Sequence, residues 1–343
     1  MKKKLLNVLK YAVFLGIGIF LTWWQLSKMT PLQKIKFRES LRHVHYIYLI
    51  PVFIITILGH IIRAVRWKIL MEPMGYYPKT SNTFYAVMCG YFTNTFLPRA
   101  GEILRCTLLS KYEKIPATKL FGTILVERVF DLFSYFIFLV ITFLIQVEIV
   151  GSFISEKVHK LGSIKGRIPG VYLLLGIIVA LLLCFLVARW LFNKYKHHQL
   201  FIKLKGFHLG LKEGFLAILH LKKRKKFIGH SVFIWACYLF EVYIGFYALD
   251  ATSGLGMGAA FSVLSLATLA MIVSPGGLGA FPIAVQQVLL IYNVDNLSFG
   301  WLMWGITTGI IIIIGLISFG LLIYQNRIKM RPKLAGNELA EET

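Results

Sequence analysis

Charge is scarce in this chain, and negative charge scarcest. Asp and Glu number 15 against 38 Lys and Arg in 343 residues, charged residues make up 15% and hydrophobic residues 57%. A soluble domain has about a quarter of its positions charged, so no water-soluble catalytic domain is expected. Four cysteines, Cys89, Cys106, Cys184 and Cys237, lie far apart without CxxC or Cys/His spacing, which argues against a disulfide framework and a zinc site. The histidines sit mainly in loops without ligand spacing and are read as solvated, so neither a metal nor a cofactor is expected. No nucleotide-binding loop is visible. No recognised motif accompanies the formal charge of +23, so nucleic acid is not an expected partner. No small-residue cleavage site follows Trp23-Trp24-Gln25, and the lysine-led start is read as an uncleaved first span.

Apolar runs fill the space that charge leaves. A helix crosses a hydrocarbon core of about 30 Å with roughly 20 residues, and runs of that kind recur at 8–26, 44–64, 120–146, 170–191, 228–249, 257–273 and 300–324. The sequence therefore predicts an all-α, polytopic membrane bundle. Two segments are short or polar: Asn82 to Leu97, which ends at Pro98, and Phe281 to Tyr292, which follows Pro275-Gly276-Gly277. Broken or re-entrant structure is expected near 82–98 and 274–282. With the first of these re-entrant, about eight crossings remain; with it spanning, about nine.

Lysine and arginine accumulate in cytoplasmic loops. The loop 192–227 is basic, and Arg327, Lys329, Arg331 and Lys333 lead into the tail 331–343, so loop and tail are placed in the cytoplasm, with both termini, of a cell inner membrane. One transmembrane domain over 1–330 accounts for the rest. Lys28, Lys34, Lys36, Arg38 and Arg42 then fall in an external loop, against the rule, whereas the count of about nine moves the N-terminal lysines outside. Within the basic loop, Leu204, Phe207, Leu211, Phe215 and Ile218 recur at helical spacing, which predicts an amphipathic helix on the inner leaflet or on the protein's own surface.

Ionisable groups at membrane depth cost about 2.5–3.5 kcal/mol each unless paired or hydrated. Glu127 and Asp131 share a helix face, with Arg128 near enough to pair; they form either a helix-locking ion pair or the polar wall of a hydrated cavity. Asn94, Arg99, Glu102 and Arg105 cluster around the break at Pro98 and Gly101, where arginines and freed amides suit a phosphate-bearing headgroup and a plain turn would give the same sequence. Pro275, Gly276, Gly277 and Gly279 break the second half comparably, and paired breaks point to an inverted-repeat transporter that binds where the broken helices meet. Arg63 and Arg66 close the second span as headgroup collectors or interfacial anchors. Glu241, central in its span, needs a partner or a cavity.

The segments Arg63-Ala-Val-Arg66-Trp67, Asn94 to Arg105, Glu127-Arg128-Val-Phe-Asp131 and Pro275-Gly276-Gly277-Leu278-Gly279, in that order, resemble the lysylphosphatidylglycerol synthase transmembrane-region family, also described as flippase-like. The likeness runs over about residues 8–325. It implies a membrane domain that moves a charged lipid between leaflets, here without the aminoacyl transferase fused to it in better understood members. Many members carry a glutamate where this chain has Pro282, so no role is expected to rest on that carboxylate.

The expected function is transport of an anionic or polyprenyl-phosphate lipid whose headgroup enters an intramembrane cavity. Arg99, Arg105 and Arg128 would neutralise phosphate, while Glu102, Glu127 and Asp131 set the arginine geometry. One alternative is an intramembrane transferase or phosphatase acting on a lipid-linked substrate. Another is a non-catalytic scaffold that holds a separate envelope-lipid enzyme.

Overall fold

The computed structural model describes residues 16, 18–97, 99–160 and 218–341. The span expected at 170–191, nearly all of the amphipathic stretch in the basic loop, and Pro98 lie outside the described residues. Among the described residues all regular structure is helical. They fall into two compact units, Met1–Leu125 with Leu221–Thr343, and Val126–His220.

The first unit begins with a helical stretch over residues 18–27, called α1. Helix α2 follows at Pro31–Arg42. Its start is fixed chemically: Thr30 and Gln33 cap each other, and Pro31 stands at the first helical position, where no amide partner is needed. Helix α3, Leu49–Met71, ends where Glu72-Pro73 begins a 3₁₀ turn and Gly75 adopts a left-handed conformation at φ 80°. Helices α4, Thr80–Phe96, and α5, Ala100–Glu113, are separated by the break around residue 98. Helix α6, Ala117–Lys160, follows Pro116. After the undescribed segment come α7, Arg224–Phe246, α8, Met257–Val273, α9, Ala280–Ile291, and α10, Ser298–Glu341.

Among the described residues four stretches, Tyr46–Met74, Ala117–Ile149, Arg224–Phe246 and Ser298–Gln325, are helices long and apolar enough to cross a membrane. The chain is thus a polytopic helical membrane protein. Helices α4, α5, α8 and α9 are shorter, at 17, 14, 17 and 12 residues, and a rise of about 1.5 Å per residue leaves each below the roughly 30 Å core. They pair instead as two hairpins, α4 with α5 and α8 with α9, broken where the sequence predicted.

Side-chain pairs fix which helix ends lie together. Helices α3 and α7 run antiparallel, with Arg63 bonded to Tyr238 and Arg66 to Ser231. The Glu72–Lys223 ion pair at 2.8 Å, Lys68 donating to Thr80, and Asn82 donating to Glu113 gather the end of α3, the start of α7 and both feet of the first hairpin at one end. That end is rich in lysine and is called the basic end. At the opposite end, His45 meets Asp250 at 2.8 Å and the Ser262 and Tyr292 hydroxyls meet at 3.0 Å. The second hairpin therefore has its feet at the end opposite to the first.

Helix α10 packs along α4. A Cβ on Gly315 would lie 2.5 Å from Phe92 Cβ, and Gln325 donates to the Tyr85 hydroxyl.

Candidate functional site

The tips of the hairpins touch inside the first unit. A Cβ on Gly276 would approach Thr95 Cα at 3.3 Å and its carbonyl oxygen at 3.2 Å. Pro275–Gly277 forms a 3₁₀ turn in which Gly276 has φ 58°, a region that glycine enters without strain. The Trp304 indole donates to the Gly276 carbonyl at 2.8 Å, and the Ser274 hydroxyl donates to Leu278 O. Gly279, at φ 72°, lies against the backbone of α1, where a Cβ would come within 2.8 Å of Gly18 O. Pro282 abuts Gly300, leaving 2.8 Å between its Cα and a Cβ built there.

On the first hairpin, Asn94 accepts from the Gly101 amide at 2.8 Å, which caps the new helix from the old one. Asn94 is thus engaged in holding the break. Gly90 and Gly101 bring α4 and α5 to backbone contact, since a Cβ on Gly101 would overlap the Gly90 carbonyl. Arg99 sits between the helices in a left-handed conformation at φ 65° and is exposed. Among the described residues no ion pair involves it. Glu102, on the next turn, is half-buried.

Towards the basic end, three arginines lie on aromatic rings. Arg105, 3% exposed, places its guanidinium 4.6 Å from the Trp67 ring centroid, and the Trp67 indole donates to Thr123 at 2.8 Å. Arg66, 1% exposed, donates to Ser231 and lies 5.4 Å from the Phe227 ring. Arg63 donates to the Tyr238 hydroxyl at 2.6 Å and lies over Tyr91 at 5.6 Å. Each contact exploits the negative face of a ring. Arg63 and Arg66 are buried against α7 instead of spreading over an inner surface, so any hold on a headgroup acts from within the bundle.

Glu241 is buried beside the Thr56 hydroxyl. Between this pair and Arg63 sits His60, buried, with its ring 5.1 Å from that of Tyr91. His60 is a correction to the expectation that the histidines are mainly solvated loop residues. The missed members of this seam are Thr56, His60, Tyr91 and Tyr238. A legible signal existed, because Thr56, His60 and Arg63 follow i, i+4, i+7 spacing and Tyr238 precedes Glu241 by three.

In the second unit, Arg128 Nη2 lies 3.5 Å from Glu127 and 3.9 Å from Asp131, with Glu127 fully buried. The pairing expected from spacing is present. Among the described residues no group of three His, Cys, Asp or Glu could hold a metal ion.

Paired broken helices, long apolar spans and buried arginines define a helical membrane protein with charged groups held among its buried residues. The chain belongs to the lysylphosphatidylglycerol synthase transmembrane-region family, which it matches over residues 7–315. It is similar to two UPF0104 membrane proteins of Methanocaldococcus jannaschii. One is 38% identical over 103 residues, covering 29% of this chain and 31% of that protein. The other is 28% identical over 205 residues, covering 60% and 81%. The chain thus aligns with about a third of the length of the first relative. No solved structure matches.

Proposed function

We propose that the protein is a lipid flippase, which binds the polar head of an anionic or phosphate-bearing lipid where the two hairpin tips meet and helps it pass between leaflets. The observation that carries this reading is Arg99. Helix α5 has 14 residues, and a rise of about 1.5 Å each puts its start roughly 20 Å from the basic end, deep in a core of about 30 Å. An exposed guanidinium there is costly without a counter-charge or water. A phosphate would answer it with two parallel hydrogen bonds.

Supporting features surround that charge. Hairpins entering from opposite ends resemble the inverted breaks of transporters that bind near the midplane. Arg63, Arg66 and Arg105 add positive potential along the route from the basic end, which faces the cytoplasm in this reading. Arg128 contributes less than the sequence suggested, because Glu127 and Asp131 already answer its charge. Transport across hairpin tips requires that they part, and the Thr95 to Gly276 contact, with no side chain on Gly276, is the place for it.

The test is a leaflet-exchange assay in reconstituted vesicles with headgroup-labelled phosphatidylglycerol and polyprenyl phosphate. Protein-dependent exchange is expected, reduced about ten-fold or more by Arg99→Gln. Absence of exchange with both lipids, or an Arg99→Gln protein as fast as wild type, would overturn the proposal.

A further inference from the structure

Helix α2 buries none of its residues, and the hairpin reading uses none of them. Two bonds dock it at the end of the first unit opposite the basic end. Asn296 donates to the Ser40 hydroxyl at 3.4 Å, and the Ser298 hydroxyl donates to the Phe37 carbonyl at 3.3 Å. Gln33, Phe37 and Ser40 face a cleft that Leu297 and Ser298 also line, so this is the inner side of the helix.

The chain fixes the depth of α2 as well. Arg42 ends it, and the apolar stretch that crosses the membrane begins at Tyr46. Four residues reach at most about 14 Å, which holds α2 close to the level where the bundle enters the membrane. Trp23, Tyr46 and Ile47, 63%, 67% and 68% exposed, surround it in the chain and have the character of an interfacial belt.

The outer side of α2 is ordered. Lys34, Arg38 and Arg42 recur every four residues and so form one row, about 12 Å long. Next to that row, Leu32 and Ile35 are 61% and 54% exposed. The three cations are exposed, and among the described residues no ion pair answers any of them. Against Lys34, Lys36, Arg38 and Arg42 the helix carries one carboxylate, Glu39. A row of unanswered cations beside exposed leucine and isoleucine is the pattern of a helix lying in an anionic headgroup layer.

We infer that α2 is an interfacial anchor that binds anionic lipid in the leaflet opposite the basic end, with Lys34, Arg38 and Arg42 on headgroup phosphates and Leu32 and Ile35 in the acyl region. The occupant is the membrane surface itself, because the cations and the apolar pair share one outward face at the level of the belt. An acidic protein would answer the cations and leave Leu32 and Ile35 in water. The inference does not rest on the transport reading, since it requires binding alone.

The test uses the full chain in phosphatidylcholine nanodiscs doped with photoactivatable phosphatidylglycerol or, separately, photoactivatable phosphatidylcholine. Labelled peptides are mapped by mass spectrometry. Each cation near an anionic surface adds roughly a five-fold preference, so phosphatidylglycerol is expected to label Pro31–Arg42 at least about ten-fold more than phosphatidylcholine. Lys34→Gln, Arg38→Gln and Arg42→Gln together should bring it down to the phosphatidylcholine level, and high salt should do the same. Leu32→Ser with Ile35→Ser should lower labelling by both lipids. In each variant labelling of Tyr46–Tyr48 should stay as in wild type, which shows that the bundle is folded. Arg99→Gln should also leave labelling of α2 unchanged, which separates failure here from failure at the tips. Equal labelling by the two lipids, or labelling unmoved by the triple substitution, would overturn the binding of anionic lipid. Labelling of α2 by neither lipid would assign its outer face to water or to a protein partner and overturn the anchor. Labelling unmoved by the serine pair would overturn the apolar contact.

Discussion

Arg105 and Trp67 illustrate how a charge survives inside this bundle. The guanidinium lies over the indole at 4.6 Å from the centroid, and a compact ammonium does not replace a guanidinium in such a contact. Arg105→Lys is expected to lower the thermal midpoint of the detergent-solubilised protein, by the equivalent of about 1–2 kcal/mol. A midpoint equal to wild type would show that the stack contributes nothing. At Glu127 and Arg128 the effect should be one of coupling. Arg128→Gln alone removes a partly exposed cation beside a fully buried carboxylate, which should cost less than the roughly 3–5 kcal/mol of breaking a wholly buried pair. Adding Glu127→Gln should recover part of that loss, and strictly additive midpoints would contradict the coupling. At this scale the sequence was informative about which residues are costly and less so about what answers them. The Tyr238 and Ser231 hydroxyls that Arg63 and Arg66 bond lie on α7, more than 160 positions away in the chain, and no local periodicity reveals a long-range neighbour.

Among the elements, the first hairpin depends on glycine where its two backbones meet at Gly90 and Gly101. Gly101→Ala should force α4 and α5 apart and lower the midpoint by the equivalent of about 1–3 kcal/mol, the usual cost of overpacking. Gly122→Ala is the matched control, because a Cβ there meets nothing within 4 Å. If both substitutions behave alike, the close approach is not what holds the hairpin. Breaks at both positions were legible because proline and glycine leave a local mark. That 257–273 returns through 280–291 was not legible, since an apolar run of 17 residues looks alike in a short crossing and in a hairpin arm. Helix α2 was missed for a related reason: its basic residues read as a loop that broke a charge rule, and only their arrangement around Leu32 and Ile35 makes them a surface helix.

For the whole molecule, the directions of the helices make a sidedness prediction. In a cysteine-free background, Lys79→Cys, Lys111→Cys and Lys222→Cys should react with an impermeant thiol reagent from one side of the membrane, and Asp250→Cys and Asn293→Cys from the other. Labelling of Lys79→Cys and Asn293→Cys from the same side would dismantle the opposed entry of the hairpins. In the proposed orientation, which follows the positive-inside rule, the Lys79 group is the one expected to react from the cytoplasmic side.

The backbone contact between Gly90 and Gly101 has a mechanical meaning as well. Two helices with no side chain between them at their crossing cannot slide or splay without losing that fit, so the first hairpin can travel only as a rigid wedge. In the proposed transport reading, an opening that admits a headgroup comes from the wedge as a whole pulling back from its counterpart, with the unadorned seam at Gly276 as the gate and a bulky side chain there as the way to jam it.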